Sequence, residues 1–330
     1  MNVLVTGATG FLGQKLAYRL VSLGFNVTGI GRNWEIGKQL TEKGITFEAA
    51  ALENQERIIE LCRNQDYVFH SGALSSPWGK YKEFYSANVI GTKNVIEGCK
   101  KWKVKRLIHV STPSLYFYYD ERRDVKETDP LPEKFVNHYA ETKYLAELEV
   151  DKAFQEGLPT ITIRPRAIFG PGDNAILPRL IRVCEKGVFP KIGNGEVEID
   201  LTYVENVVDA LLLCLSSEES TLGTKYNITN GVRVNLYDMI NDVMGQLNKT
   251  TKFRNISTKK AFFIARLLEC TSTICLGGKE PLLTRYTVSV LSQSQTLSIE
   301  KARRELGYRP ALSIEDGTKE FVEWWKMHAN

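Results

Sequence analysis

Asn2-Val3-Leu4-Val5-Thr6-Gly7-Ala8-Thr9-Gly10-Phe11-Leu12-Gly13 opens the chain, and its reading decides the fold. The apolar, β-branched run Val3–Thr6 is interrupted at Gly7. From Phe11 onward apolar residues recur at Leu12, Leu16, Leu20 and Leu23, which is helical spacing, and Gly24 is a natural stop. Gly7 permits a tight turn, Gly10 lets the backbone approach a pyrophosphate, and Gly13 lets the helix pack on the strand. The turn and helix start, with Thr9, Gly10, Phe11 and Leu12, then offer unpaired N–H groups and a positive dipole end to phosphates. A glycine triplet alone is a weak signal, but a strand before it and a helix after it predict a dinucleotide site.

The alternation continues outward from there. Val27–Ile30, Tyr67–Phe69, Leu107–Val110 and Thr160–Ile163 read as strands, and Glu56–Cys62, Tyr85–Lys101 and Tyr139–Phe154 as helices. This order predicts an α/β fold of the Rossmann type: a doubly wound parallel sheet with helices on both faces. Past about Gly170, Gly and Pro become frequent, and a smaller mixed α/β region is expected. Residues 1–170 are assigned to cofactor binding, with 203–230 returning to that domain; 171–202 and 231–330 are assigned to the substrate.

Composition narrows the function. With 330 residues, 43% hydrophobic and 25% charged, the chain reads as a soluble globular protein. A net charge of +4 without long Lys/Arg runs argues against nucleic acid as a partner. The N-terminus reads as a buried strand, so no signal peptide is expected, and the location expected is cytoplasmic. The six cysteines (Cys62, Cys99, Cys184, Cys214, Cys270, Cys275) form no CxxC pair and read as small buried hydrophobes, with no metal site. Ala261–Gly278 is the most apolar stretch, yet it is short and carries Arg266 and Glu269, whereas a span needs ~20 predominantly apolar residues. No transmembrane span is expected; a core helix, a pocket wall and a surface-lying helix stay open for it.

Candidate chemistry follows the strand ends. The second strand ends Gly29-Ile30-Gly31-Arg32-Asn33. The acid that would hold an NAD ribose is absent, and a guanidinium can bind a 2′-phosphate bidentately. NADP(H) is therefore the preferred cofactor, with NAD(H) as the other possibility. Tyr139 and Lys143 lie four residues apart on a helix that Asn137 is placed to cap, with Ala140, Tyr144 and Leu148 as its buried face. A cation close to Tyr139 would lower its pKa and make it a usable acid and base. The strand Leu107–Val110 runs into Ser111-Thr112-Pro113-Ser114-Leu115-Tyr116, which puts a Ser111 or Thr112 hydroxyl where ligands sit in such sheets. YxxxK by itself is common on helix surfaces; the conjunction of cradle, hydroxyl and YxxxK on one framework carries the inference.

Together these motifs resemble the extended short-chain dehydrogenase/reductase superfamily over nearly the whole chain. The resemblance makes Thr112 the catalytic Ser/Thr, Lys143 a ribose ligand as well as a partner of Tyr139, and Asn88 of Asn88-Val89-Ile90-Gly91-Thr92 a support of the active site. It lays Leu52, Ser71, Gly72, Ala73, Ser111, Pro165, Ala167 and Ile168 along the cofactor. Tyr203–Val207 and Lys301–Tyr308 match later signatures. An adenine-contacting Asp is missing from Ala49-Ala50-Ala51-Leu52-Glu53. Dehydratases of this superfamily follow the threonine with Asp-Glu, where this chain has Pro113-Ser114, and epimerases place an arginine where Ile199 stands. Gly223–Gly231 and Glu280–Tyr286 instead resemble the 3β-hydroxysteroid dehydrogenase-like and 2-alkyl-3-oxoalkanoate reductase branch. The resulting expectation is an NADP(H)-dependent ketone reductase or secondary-alcohol dehydrogenase for an apolar substrate. The helix Tyr85–Lys101 offers a homodimer face. An NAD-dependent sugar-nucleotide epimerase and a non-catalytic NADP(H) sensor are the rivals.

Overall fold

The computed structural model describes residues 1–275 and 279–328. Seven parallel strands form the main sheet in the order Lys225–Ile228, Thr160–Pro165, Arg106–Val110, Tyr67–His70, Asn2–Thr6, Asn26–Gly31 and Thr46–Ala49. The chain winds one way from the first strand and then the other, which opens a crevice beside that strand's C-terminal end. Val3 and Val5 point to one face with Leu16, Leu20 and Val207, and Leu4 points to the other with Ile58, Val95 and Val150. Burial on both faces explains the near-continuous apolar runs of these strands.

The helix Val204–Ser216 and the strand Lys225–Ile228 pack into the first of these cores. So do Ile299, Ala302, Leu306 and Tyr308, so packing does not follow the boundary drawn from sequence there. A second core gathers Phe169, Leu177, Phe189, Tyr237, Ile240 and Phe321. Beside it lies a mixed sheet of Arg233–Asn235, Glu198–Asp200, Gln295–Leu297 and Arg122–Val125.

Three local expectations are corrected. The helix expected over Tyr85–Lys101 begins earlier, as Tyr81–Phe84, and passes through a π-helical stretch, Tyr85–Ile90, before Gly91–Lys101. Such wide turns leave no trace in apolar spacing. The helix expected over Tyr139–Phe154 runs His138–Gln155, and Asn137 caps it by accepting the Ala140 N–H at 2.9 Å. Its buried face is Ala140, Thr142, Lys143, Ala146 and Glu147, while Leu148 is 43% exposed. That face covers the polar site, so hydrophobicity misplaces it. Within Ala261–Gly278, residues 276–278 lie outside the described residues. Ala261 and Ala265 of the helix Thr258–Cys275 enter the second core, whereas Phe263, Leu267 and Ile274 are exposed. Among the described residues no helix is long and apolar enough to cross a membrane. Cys62, Cys99, Cys184 and Cys214 are buried free thiols, and Cys270 is exposed.

Candidate active site

Gly7 turns the chain out of the first strand at φ +71°, and a Cβ there would stand 2.7 Å from Gly72 Cα. A Cβ on Gly13 would stand 2.2 Å from the Gly7 carbonyl oxygen. The two segments are held together because Gly72 N–H donates to Thr6 Oγ1 at 3.1 Å and Ser71 Oγ donates to the Thr6 carbonyl at 2.6 Å. Phe11, Leu12 and Gly13 form the first turn of the helix Phe11–Ser22, which has no capping side chain at Gly10 and no acid in that turn. Gly10, its N-cap, lines a cleft of about 210 Å³ whose lining also includes Gly7, Thr9, Arg32, Leu52, Ser71, Gly72 and Ala73. Open donors at a positive helix end, beside a backbone that excludes side chains, fit a dinucleotide pyrophosphate. Ala50, Glu53, Leu74 and Ala87 also line the cleft and carry no sequence signal that singles them out.

At the rim, Gly31 has no room for a side chain, since a Cβ would meet Thr9 Oγ1 at 2.3 Å. Asn33 is engaged, capping the helix Trp34–Glu42 by accepting from Glu35 N at 3.0 Å and Ile36 N at 3.2 Å. Arg32 is exposed and makes no hydrogen bond or ion pair among the described residues.

Across the crevice, Thr112 caps the 3₁₀ turn Pro113–Tyr116 and accepts the Ser114 N–H at 3.1 Å, which fixes its hydroxyl. Tyr139 is half-buried, with its hydroxyl enclosed beside Thr112 and Ser75. Burial raises its pKa, and those two hydroxyls offset part of the rise. Lys143 is not among the groups acting on that phenol, so the expected lowering is absent in this arrangement. Lys143 is instead 2% exposed and donates to the Val110 carbonyl at 2.8 Å, with His109 Nε2 at 3.4 Å. Burial brings its pKa down to about 8, against the opposing pull of Glu147.

Asn88 sits in the π-helical stretch. Its Oδ1 accepts Leu74 N–H at 2.7 Å, and its Nδ2 donates to Leu74 O at 3.2 Å and to Thr142 Oγ1 at 3.1 Å. It thereby ties the loop carrying Ser75 to the helix carrying Tyr139.

Below lies a buried polar layer. His70 donates from Nε2 to Thr92 Oγ1 (2.9 Å), because Thr92 spends its own proton on Asn88 O (2.6 Å), and Thr6 Oγ1 donates to His70 Nδ1 (2.7 Å). Burial, then Lys143, lowers the His70 pKa to about 3. Arg164 holds Glu147 with both Nε (2.8 Å) and Nη2, and its Nη1 donates to Tyr116 Oη. Tyr116 in turn donates to Asn227 Oδ1 at 3.1 Å. Ser111, buried beside Glu147, helps hold that carboxyl's pKa low.

Pro165 ends its strand, and Ala167 follows at φ +45°, a left-handed conformation uncommon outside glycine, before the short strand Ile168–Phe169. That turn re-aims the chain, and Arg166 with it, over Phe117. Ser75, Phe117 and Tyr286 were not singled out by sequence reasoning. They lie in loops or at a helix start, and only the folded contacts place them at the site.

The profile of the NAD dependent epimerase/dehydratase family matches residues 3–229. Over 97% of its length the chain is 34% identical to the 2-alkyl-3-oxoalkanoate reductase of Stenotrophomonas maltophilia, covering 98% of that protein. It is 32% identical to the mouse sterol-4-alpha-carboxylate 3-dehydrogenase, decarboxylating, over 97% of this chain and 89% of that one. The solved UDP-glucose 4-epimerase of Thermotoga maritima superposes with a TM-score of 0.79 at 22% identity, over 100% of both chains, which is a likeness of fold.

Proposed function

This chain belongs to the NAD dependent epimerase/dehydratase family, within the extended short-chain dehydrogenases/reductases, and we propose that it reduces a ketone, or oxidises the matching secondary alcohol, using NADP(H). NAD(P)-dependent oxidoreduction is the chemistry of its named relatives, which are reductases and dehydrogenases. The observation that carries the reading is the Tyr139 hydroxyl, enclosed beside Thr112 and Ser75 next to the cofactor crevice. A phenol kept protonated by burial is an acid in the reducing direction.

The bound nicotinamide supplies or accepts the hydride. Tyr139 gives its proton to the carbonyl oxygen, and Thr112 holds that oxygen. Lys143, a ribose ligand by family resemblance and one helical turn from Tyr139, would hold the ribose hydroxyls of the bound cofactor. Unpaired Arg32 at the rim and the absence of room at Gly31 support NADP(H) over NAD(H). Ile199 is buried in its strand and offers no cation to a sugar-nucleotide diphosphate, which disfavours epimerisation.

In both relatives' names the changed oxygen is on carbon 3, beside a carbon that bears a carboxylate or leads to one. An apolar body with oxygen at such a carbon is the substrate class we assign. We also assign a homodimer in the cytoplasm; the exposed Leu148 on the helix packed against Gly91–Lys101 supports the pairing face. A screen of 3-oxo and 3-hydroxy compounds followed by NADPH absorbance tests the activity. No turnover with any ketone or alcohol would overturn it.

A further inference from the structure

Arg166 has no role in the chemistry described so far, and its surroundings are unusual for an arginine. It is 8% exposed, its Nε is buried without a hydrogen-bond partner, and its guanidinium makes no ion pair among the described residues. Its contact is with the Phe117 ring, at 5.1 Å. Buried cations are ordinarily paired, and one left unpaired is costly. The carboxyl that acts on it, Asp200, forms no ion pair with it and accepts the Leu297 N–H at 2.6 Å. Burial pushes the Asp200 pKa up to about 6, against the opposing pull of the Arg166 charge.

The position is also informative. Phe117, under the guanidinium, lies 5.2 Å from the Tyr286 ring. Phe117 closes the 3₁₀ turn that Thr112 caps. Arg166 thus lies over the end of the turn that begins at Thr112, against the aromatic wall of Phe117 and Tyr286, and the left-handed residue Ala167 follows it.

We propose that Arg166 is the specificity-determining residue of the substrate pocket, pairing its unpartnered guanidinium with a carboxylate on the carbon next to the reacting carbon. The substrates are then 3-oxo acids and 3-hydroxy acids with an apolar chain. This rests on the ketone and alcohol chemistry proposed above and names its substrate class. In the oxidising direction the carbinol C–H electrons leave as hydride to oxidised nicotinamide, the O–H proton leaves through Tyr139, and the carboxylate stays bound and unchanged.

The test compares a 3-hydroxy acid with its methyl ester, in the wild type, Arg166→Gln and Arg166→Lys. The wild type is expected to oxidise the acid with a kcat/KM at least about tenfold above the ester, the scale of a charge-assisted hydrogen bond. Arg166→Gln is expected to erase that ratio through KM while ester oxidation persists, and Arg166→Lys to restore part of it. An unchanged ratio in Arg166→Gln overturns the proposal. Calorimetric titration of the wild type with octanoate and methyl octanoate needs no turnover and no variant. Equal affinities overturn the proposal even where Arg166→Gln fails to fold. Failure to oxidise either compound counts against the alcohol chemistry itself, and the titration still decides on Arg166. Tight UDP binding that Arg166→Gln abolishes would reassign the anion as a diphosphate and overturn the carboxylate.

Discussion

Lys143 Nζ donates to the carbonyl oxygen of Val110 at 2.8 Å, so the cation of the YxxxK pair is anchored to a strand end and not to the phenol one turn away. In the proposed mechanism Tyr139 is therefore a proton donor kept protonated by burial, with Thr112 and Ser75 beside its hydroxyl. Tyr139→Phe removes only the hydroxyl and leaves the cradle at Gly7–Gly13 untouched. Its NADPH affinity, read by nucleotide fluorescence, is expected to stay at the wild-type value. Its turnover is expected to fall about 10²–10⁴-fold, the usual share of a general acid. Retained turnover would remove Tyr139 from the mechanism.

The proposed preference for NADP(H) rests on Arg32. Arg32→Ala is expected to weaken NADPH binding by about tenfold to a hundredfold, the scale of charge-assisted hydrogen bonds, and to leave NADH binding unchanged. Equal losses for both nucleotides would show that Arg32 does not read the 2′-phosphate.

His70 makes stability pH-dependent. It stays neutral in the fold down to about 3, whereas in the unfolded chain it takes up a proton near 6.5. Between those values the unfolded chain binds more protons, so stability falls as pH drops through that window. His109, also lowered by burial, acts in the same direction. The melting-temperature advantage of the wild type over His70→Gln is expected to shrink as the pH falls from about 7 toward 4. A constant difference would place the acid sensitivity elsewhere.

Arg164 and Glu147 are 3% and 1% exposed and bound at two points. Breaking such a pair from one side strands a buried charge and costs about 3–5 kcal/mol. Urea denaturation of Arg164→Met and Glu147→Leu is expected to show that loss in each. The pair Arg164→Met with Glu147→Leu is expected to lose much less than the sum of the two single changes. Additive losses would mean that the two side chains are not acting on each other.

The legible parts of the molecule were those in which local spacing and tertiary structure agree. Val3–Thr6, the glycines at 7, 10 and 13 and the apolar repeat from Phe11 specify strand, turn and helix within a few residues of one another. Asn137 was readable as a cap because its side chain bonds within the same turn. The buried face of that helix was misread because Lys143 and Glu147 are buried against partners distant in sequence, Val110 and Arg164. Periodicity counts them as surface. The strand Thr46–Ala49 lies at the sheet edge and carries little apolar surface, so it left no pattern. Ser75 and Phe117 belong to loops, and only the fold brings Ser75 to Tyr139 and Phe117 beneath Arg166.

The contact between Gly31 and Thr9 constrains how this lineage can change. Any side chain at position 31, a ribose-binding aspartate included, collides with the Thr9 hydroxyl at 2.3 Å. The Thr9 Cβ would itself stand 2.8 Å from that side chain, so position 31 can be filled without displacing the backbone only when residue 9 is glycine. Thr9 also lines the cofactor cleft, so the two positions are coupled. Selection acting one substitution at a time meets either a collision at 31 or an altered cleft at 9, and an engineer has to change both together.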